Sequence, residues 1–140
     1  MNKKTLKDGQ KAYQRSDKEN RVQPYLDWHR NLKGLYMLDV DSIEWRFKKG
    51  IMTPVAVIEI TRVDNDKIVT RKYLDAIIER FFKRDMQGKA TLHVANALSC
   101  PAFITLFKED CSMFYVYNLT DAEYWVKYTP AEYTGFLGQL

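Results

Sequence analysis

Several things are scarce in this chain, and each scarcity narrows its class. It holds only two cysteines in 140 residues, Cys100 and Cys111. Their spacing is not that of a zinc site, and without a secretion signal both thiols are expected to be reduced and buried. No apolar run approaches the about 20 residues that a membrane-spanning helix needs, so no membrane association is expected. The first twenty residues, MNKKTLKDGQKAYQRSDKEN, contain no hydrophobic segment and do not read as a signal peptide, which makes the cytoplasm the expected compartment. Internal repeats and low-complexity segments are also missing, and the length suits one domain with a real core. Beyond residue 22 there is no surplus of charge, because 15 basic and 15 acidic side chains balance.

What is present is more specific. Residues 1–22 hold seven basic side chains against three acids, so the whole net charge of +4 lies in an N-terminal arm. Such an arm can follow a phosphate backbone by displacing counterions, or it can be a solvated tail. The rest, 23–140, reads as the folded domain. Its most apolar stretch, TPVAVIEIT at 53–61, has the length and β-branched content of a strand. Both faces of that strand are apolar, as in a central strand covered on both sides. Yet one face, Val55, Val57, Glu59 and Thr61, includes a carboxylate. Burying it unpaired would cost several kcal/mol, so Glu59 needs a partner, a proton or a metal.

The pattern along the chain predicts an α/β fold. Gln23-Pro24 is expected to break any helix, and YLDWHRNLKG reads as a short helix or turn ending at Gly34. LYMLDVDSIEWRF and the 53–61 strand then form a hairpin around a KKG turn. Apolar residues at helical spacing from Tyr73 to Phe82 predict a helix over about 67–87, with Gly88 as its stop. Its opposite face carries Arg71, Lys72, Arg80, Lys83 and Arg84. ATLHVANAL reads as a strand containing a structural His93. AFITLF and MFYVYNL form a second hairpin, and PAEYTGFLGQL a closing helix with Pro130 in its first turn. The expected architecture is a mixed sheet flanked by helices.

In the first hairpin, strand parity puts Asp39, Asp41, Ile43 and Trp45 on one face. Asp39 and Asp41 repel each other unless a cation lies beside them. If this run pairs with 53–61, Asp41 and Glu59 lie side by side, as a hard divalent cation requires. The competing reading is an ordinary ion pair with Arg30, Arg46 or Arg62. On the residues alone the two readings balance.

MLDVDSIEWR followed by PVAVIEIT resembles the PD-(D/E)XK, or restriction-endonuclease-like, nucleases, especially a small bacterial and phage group whose hairpin reads Asp-hydrophobic-Asp-x-Ile-Glu-aromatic, then Pro and an apolar run ending in Glu-x-Lys. The later PAFITLF…FYVYNL and EYTGFLGQL also resemble that group, and the likeness covers roughly 24–140. It implies a restriction-endonuclease-like mixed sheet flanked by helices, and a Mg²⁺- or Mn²⁺-dependent endonuclease that hydrolyses DNA phosphodiester bonds in a bacterium or phage-infected cell. Asp41 and Glu59 match the metal-binding acids, Asp39 a supporting acid, and the Ile60 carbonyl a further metal ligand. Asp27 or His29, just before the hairpin, matches a helix acid or base. Thr61 stands where the resemblance expects Lys, so the cation would have to come from Arg46, Lys48 or Lys49. Lys48, Lys49 and the basic helix face would grip neighbouring phosphates. The resemblance also allows a homodimer that reaches both strands, or a nuclease fold that has lost cleavage and only binds nucleic acid or a protein partner.

Overall fold

The computed structural model describes residues 22–84, 86–121 and 124–140. The basic arm expected at 1–22 lies outside the described residues apart from Val22. The chain divides into two compact units, Met1–Met37 and Leu38–Leu140.

In the first unit, helix α1 spans Gln23–Arg30. Pro24 opens this helix rather than breaking it, because a residue in the first turn has no intrahelical use for its missing N–H. Gly34 follows at φ +74, a conformation that suits glycine after a helix end.

The second unit is built on one five-stranded mixed sheet: β1 (Ser42–Lys48), β2 (Ile51–Val63), β3 (Ala102–Lys108), β4 (Phe114–Asn118) and β5 (Trp125–Tyr128). Spatial order follows chain order, and only the β2–β3 pairing is parallel. A parallel neighbour requires a crossover, and this one carries α2 (Arg71–Glu79), a π-helical turn (Arg80–Arg84) and α3 (Gln87–Ala97). Helix α4 (Pro130–Gly138) closes the chain. The expected mixed sheet flanked by helices is therefore present, and no described helix is long and apolar enough to cross a membrane.

Strand parity sorts the core into two layers. On one face of the sheet Val63, Ile104 and Leu106 pack with Leu74, Ile77 and Phe81. Val57 and Ala102 of the same face pack with Ala95 of α3. On the other face Ala56, Ile58, Phe103 and Val116 meet Tyr133, Phe136 and Leu137 of α4. Thr129 caps α4 in a reciprocal capping box with Glu132, and Thr70 caps α2 by accepting from the Tyr73 N–H. Hairpin β1–β2 turns through Lys49 (φ +52) and Gly50 (φ +78), a two-residue connection that needs both left-handed positions. Its register shifts at Glu44/Trp45, leaving Val55 as the extra residue beside Pro54. Proline cannot donate to a ladder, so a bulge is where a strand tolerates it.

Several expectations change. ATLHVANAL is not a strand but most of α3, because the positions that matter are Gly88, Thr91 and Ala95, buried at helical spacing. Gly88 is accordingly not a stop but part of the first turn of α3. A Cβ there would lie 3.1 Å from both the Phe81 carbonyl oxygen and the Phe82 ring, so any larger residue would press the π turn and α3 slightly apart. The first hairpin strand begins at Ser42, leaving Asp39 and Asp41 just before the ladder. The thiols are free but not buried, since Cys100 is half-buried and Cys111 is exposed on a turn at φ +59. His93, expected in a strand, is exposed on α3. Strand β5 was not foreseen, as four residues carry too little alternation to register.

Candidate functional site

Glu59 lies on β2, beside Ile104 of β3 and one residue past the Ser42↔Ile58 end of the β1 ladder, and is 1% exposed. It faces α3, as its parity with Val57 requires. From that helix Thr91 Oγ1 donates to Glu59 Oε1 at 2.8 Å, and Gln87 Nε2 donates to the same oxygen at 3.1 Å. Residues 87 and 91 are one helical turn apart, so both side chains fall on one line over the strand. Gln87 Nε2 also donates to the Asp39 carbonyl at 2.6 Å, tying the segment before β1 to the same place.

Asp41 comes next to Glu59 from the other side. Its Oδ2 accepts the Ile60 N–H at 2.8 Å, so this carboxylate continues the β1–β2 ladder beyond Ser42↔Ile58. Burial is the main cause pushing the Glu59 carboxyl above its ordinary value of 4.5. Gln87 and Thr91 oppose that rise by stabilising the anion. The Asp41 carboxyl adds to it, by hydrogen-bonding the neutral form and by charge repulsion.

Among the described residues, none of the three arginines weighed as ion-pair partners is recorded against this pair. Arg30 pairs with Asp27 at 3.6 Å, within the first unit. Arg46 bonds Glu44 at 2.8 Å and the Leu137 carbonyl at 2.6 Å, on the α4 face of the sheet. Arg62 is exposed, and its parity sets it opposite Glu59. Lys48 and Lys49 stand at the hairpin turn, eight residues along β2 from Glu59, or roughly 25 Å at strand rise. None of Arg46, Lys48 and Lys49 is therefore placed to replace the lysine that Thr61 lacks. Thr61 itself is half-buried on the Glu59 face, opposite Leu106.

The acids are thus brought together as a pair and not as a larger cluster. Asp39 is exposed, with its carbonyl rather than its carboxylate engaged, and among the described residues no three His, Cys, Asp or Glu side chains form a metal-holding group. The donor set nevertheless suits a hard cation. It offers two carboxylates from adjacent segments, one of them desolvated, and Mg²⁺ commonly takes one or two protein carboxylates and keeps several waters.

The basic helix face is partly neutralised by its own acids. Arg71 pairs with Asp75 at 3.1 Å and Lys83 with Glu79 at 3.4 Å, both one turn apart and exposed. Arg80 stacks over the Phe81 ring at 5.1 Å, and Lys72 is exposed. The Arg84 side chain lies outside the described residues. Asp27, the candidate helix acid, accepts from Gln23 Nε2 at 2.7 Å, and the His29 ring lies 6.2 Å from that of Tyr25.

Gln87 and Thr91 are the site residues that the sequence reading missed. The available signal was the small-residue spacing Gly88, Thr91, Ala95, which marks a helix packed closely on a sheet. Comparison of the chain with models of protein families, with curated proteins and with solved structures found no match.

Proposed function

We propose that this protein is a metal-dependent nuclease that hydrolyses DNA phosphodiester bonds at Asp41 and Glu59. The observation that carries this reading is the burial of Glu59 against a second carboxylate, its other partners among the described residues being the neutral side chains of Gln87 and Thr91. A protein that keeps such a repulsive pair gains by binding a cation there. Asp41 and Glu59 would hold Mg²⁺ or Mn²⁺, with the Ile60 carbonyl as a further oxygen. When bound, that ion would supply a Lewis acid for the phosphate and a more acidic water. Gln87 and Thr91 fix the Glu59 carboxylate, so its free oxygen needs no reorganisation to meet charge. The Ile60 N–H does the same for Asp41.

The test is Mg²⁺- or Mn²⁺-stimulated nicking of plasmid or branched DNA. Asp41→Asn and Glu59→Gln, each shown to be folded, should lose it. Cleavage at the wild-type rate in either variant refutes the assignment.

Thr61 favours a second reading. With no lysine at that position, and with Arg46, Lys48 and Lys49 placed away from the pair, the fold would bind nucleic acid without cutting it. Binding in the absence of any metal-stimulated nicking, unchanged by Asp41→Asn, would support this alternative.

A further inference from the structure

Strand β2 is 13 residues long, but β3 pairs with it only from Val57 onward. Residues 45–54 therefore form a two-stranded ribbon that projects past the five-stranded sheet. An isolated ribbon is marginal in water and would be expected to expose polar side chains. This one does the opposite. Trp45, Phe47, Ile51 and Met52 are 43%, 75%, 69% and 58% exposed, and none belongs to a hydrophobic cluster of the core. The register sets Phe47 opposite Met52 and Trp45 opposite Pro54, so one face of the ribbon is a continuous apolar strip.

The charge of the ribbon is of one sign. Arg46, Lys48 and Lys49 lie in it with no acid. Arg46 is spent at the root, on Glu44 and the Leu137 carbonyl, where it fastens the ribbon to α4. Lys48 and Lys49 are exposed at the tip and make no ion pair among the described residues. The complementary partner is anionic and has flat apolar surfaces.

The ring spacing selects among such partners. Trp45 and Phe47 are alternate residues of one strand, so their side chains rise from the same face about 6.8 Å apart. That separation is twice the about 3.4 Å repeat of stacked bases. With both rings turned across the strand, that spacing would admit one base between them, stacked on each side. Bases in a duplex are already stacked and paired, whereas an unpaired base is free to enter.

We propose that ribbon 45–54 binds single-stranded nucleic acid, holding one base between Trp45 and Phe47 and neighbouring phosphates on Lys48 and Lys49. This rests on the nucleic-acid reading of the acid pair and narrows its substrate to strands with unpaired segments.

The test is fluorescence anisotropy of a labelled oligo-dT strand in EDTA, beside a blunt duplex and anionic phosphatidylserine vesicles. Wild-type protein should bind the strand more tightly than the duplex. Trp45→Ala and Phe47→Ala should each weaken strand binding about 10-fold, with Phe47→Tyr restoring it. Exposed side chains are being removed, so circular dichroism and Tm should stay unchanged. Lys48→Ala with Lys49→Ala should lower the salt slope by about 1.4, two single-strand phosphates' worth. Equal affinity of the ring variants and wild type overturns the proposal, as does binding to vesicles without binding to the strand. If the ring variants bind normally while Asp41→Asn abolishes nicking, the ribbon proposal fails and the acid site stands. If Asp41→Asn nicks normally while the ring variants lose the strand, the acid site fails and the ribbon stands.

Discussion

Hairpin β1–β2 carries a carboxylate on each face, and the two meet opposite fates. Glu44, on the α4 side, is half-buried and joined at 2.8 Å to Arg46, which also satisfies the Leu137 carbonyl. Glu59, on the α3 side, is fully buried and faces neutral donors and the carboxyl group of Asp41. The same residue type in the same hairpin is thus balanced in one place and left short of positive charge in the other. A balanced carboxylate is structure. An unbalanced one is held in readiness for a proton or a cation, and this difference singles out Glu59 as the centre of the candidate site.

The sharpest way to break the comparison is to measure cleavage. Asp41→Asn and Glu59→Gln should each lower metal-stimulated nicking on the order of 10²–10³-fold, while Glu44→Gln should leave it unchanged. Equal loss in all three would mean that the two faces do not differ in function. Next in size, Thr61→Lys should raise nicking by about 100-fold if a positive charge at that position is what the site lacks. No rise, with Mn²⁺ still raising Tm, would favour the binding-only reading.

Stability gives smaller effects. Mn²⁺ at 100 times its Kd should stabilise the wild type by about 2.7 kcal/mol, and Glu44→Gln equally, but not Glu59→Gln. Calorimetric scans with and without metal would check this. Without metal, pH should matter in a particular direction. The folded-state carboxyl of Glu59 titrates above the ordinary 4.5, so between that value and its raised one the native state binds more proton than the unfolded chain. Stability should therefore fall as pH rises above 4.5, and Glu59→Gln should abolish that slope. The amide can still accept from Gln87 and Thr91, so this variant tests the charge rather than the hydrogen bonds. The smallest effect is expected from Glu44→Gln itself, about 0.5–1 kcal/mol in urea unfolding, since its pair with Arg46 is only partly buried.

Much of the larger unit was legible in the chain. The β1–β2 hairpin, the KKG turn, the amphipathic α2, the β3–β4 hairpin and the capped α4 all carry local signals of period or turn chemistry. Asp41 and Glu59 could be placed together because strand parity and a short turn leave little freedom. The strand reading of 90–98 failed because Ala, Thr and Val carry weak preferences, and alternation over so few residues imitates a strand. What settled that segment was a contact remote in sequence: Gly88 against the π turn and Thr91 against Glu59. The same error hid Gln87 and Thr91 from the site.

The amino-acid sequence by itself determined the mixed α/β class, the central strand and the pairing of its acid with Asp41, because these follow from side-chain period and short connections. Only the tertiary structure decided that Glu59 meets Gln87 and Thr91 instead of an arginine, and that equally apolar residues are buried at 55–58 but bare at 51–52. Both depend on which helix or strand lies across the sheet, and burial is set by neighbours that no local pattern specifies.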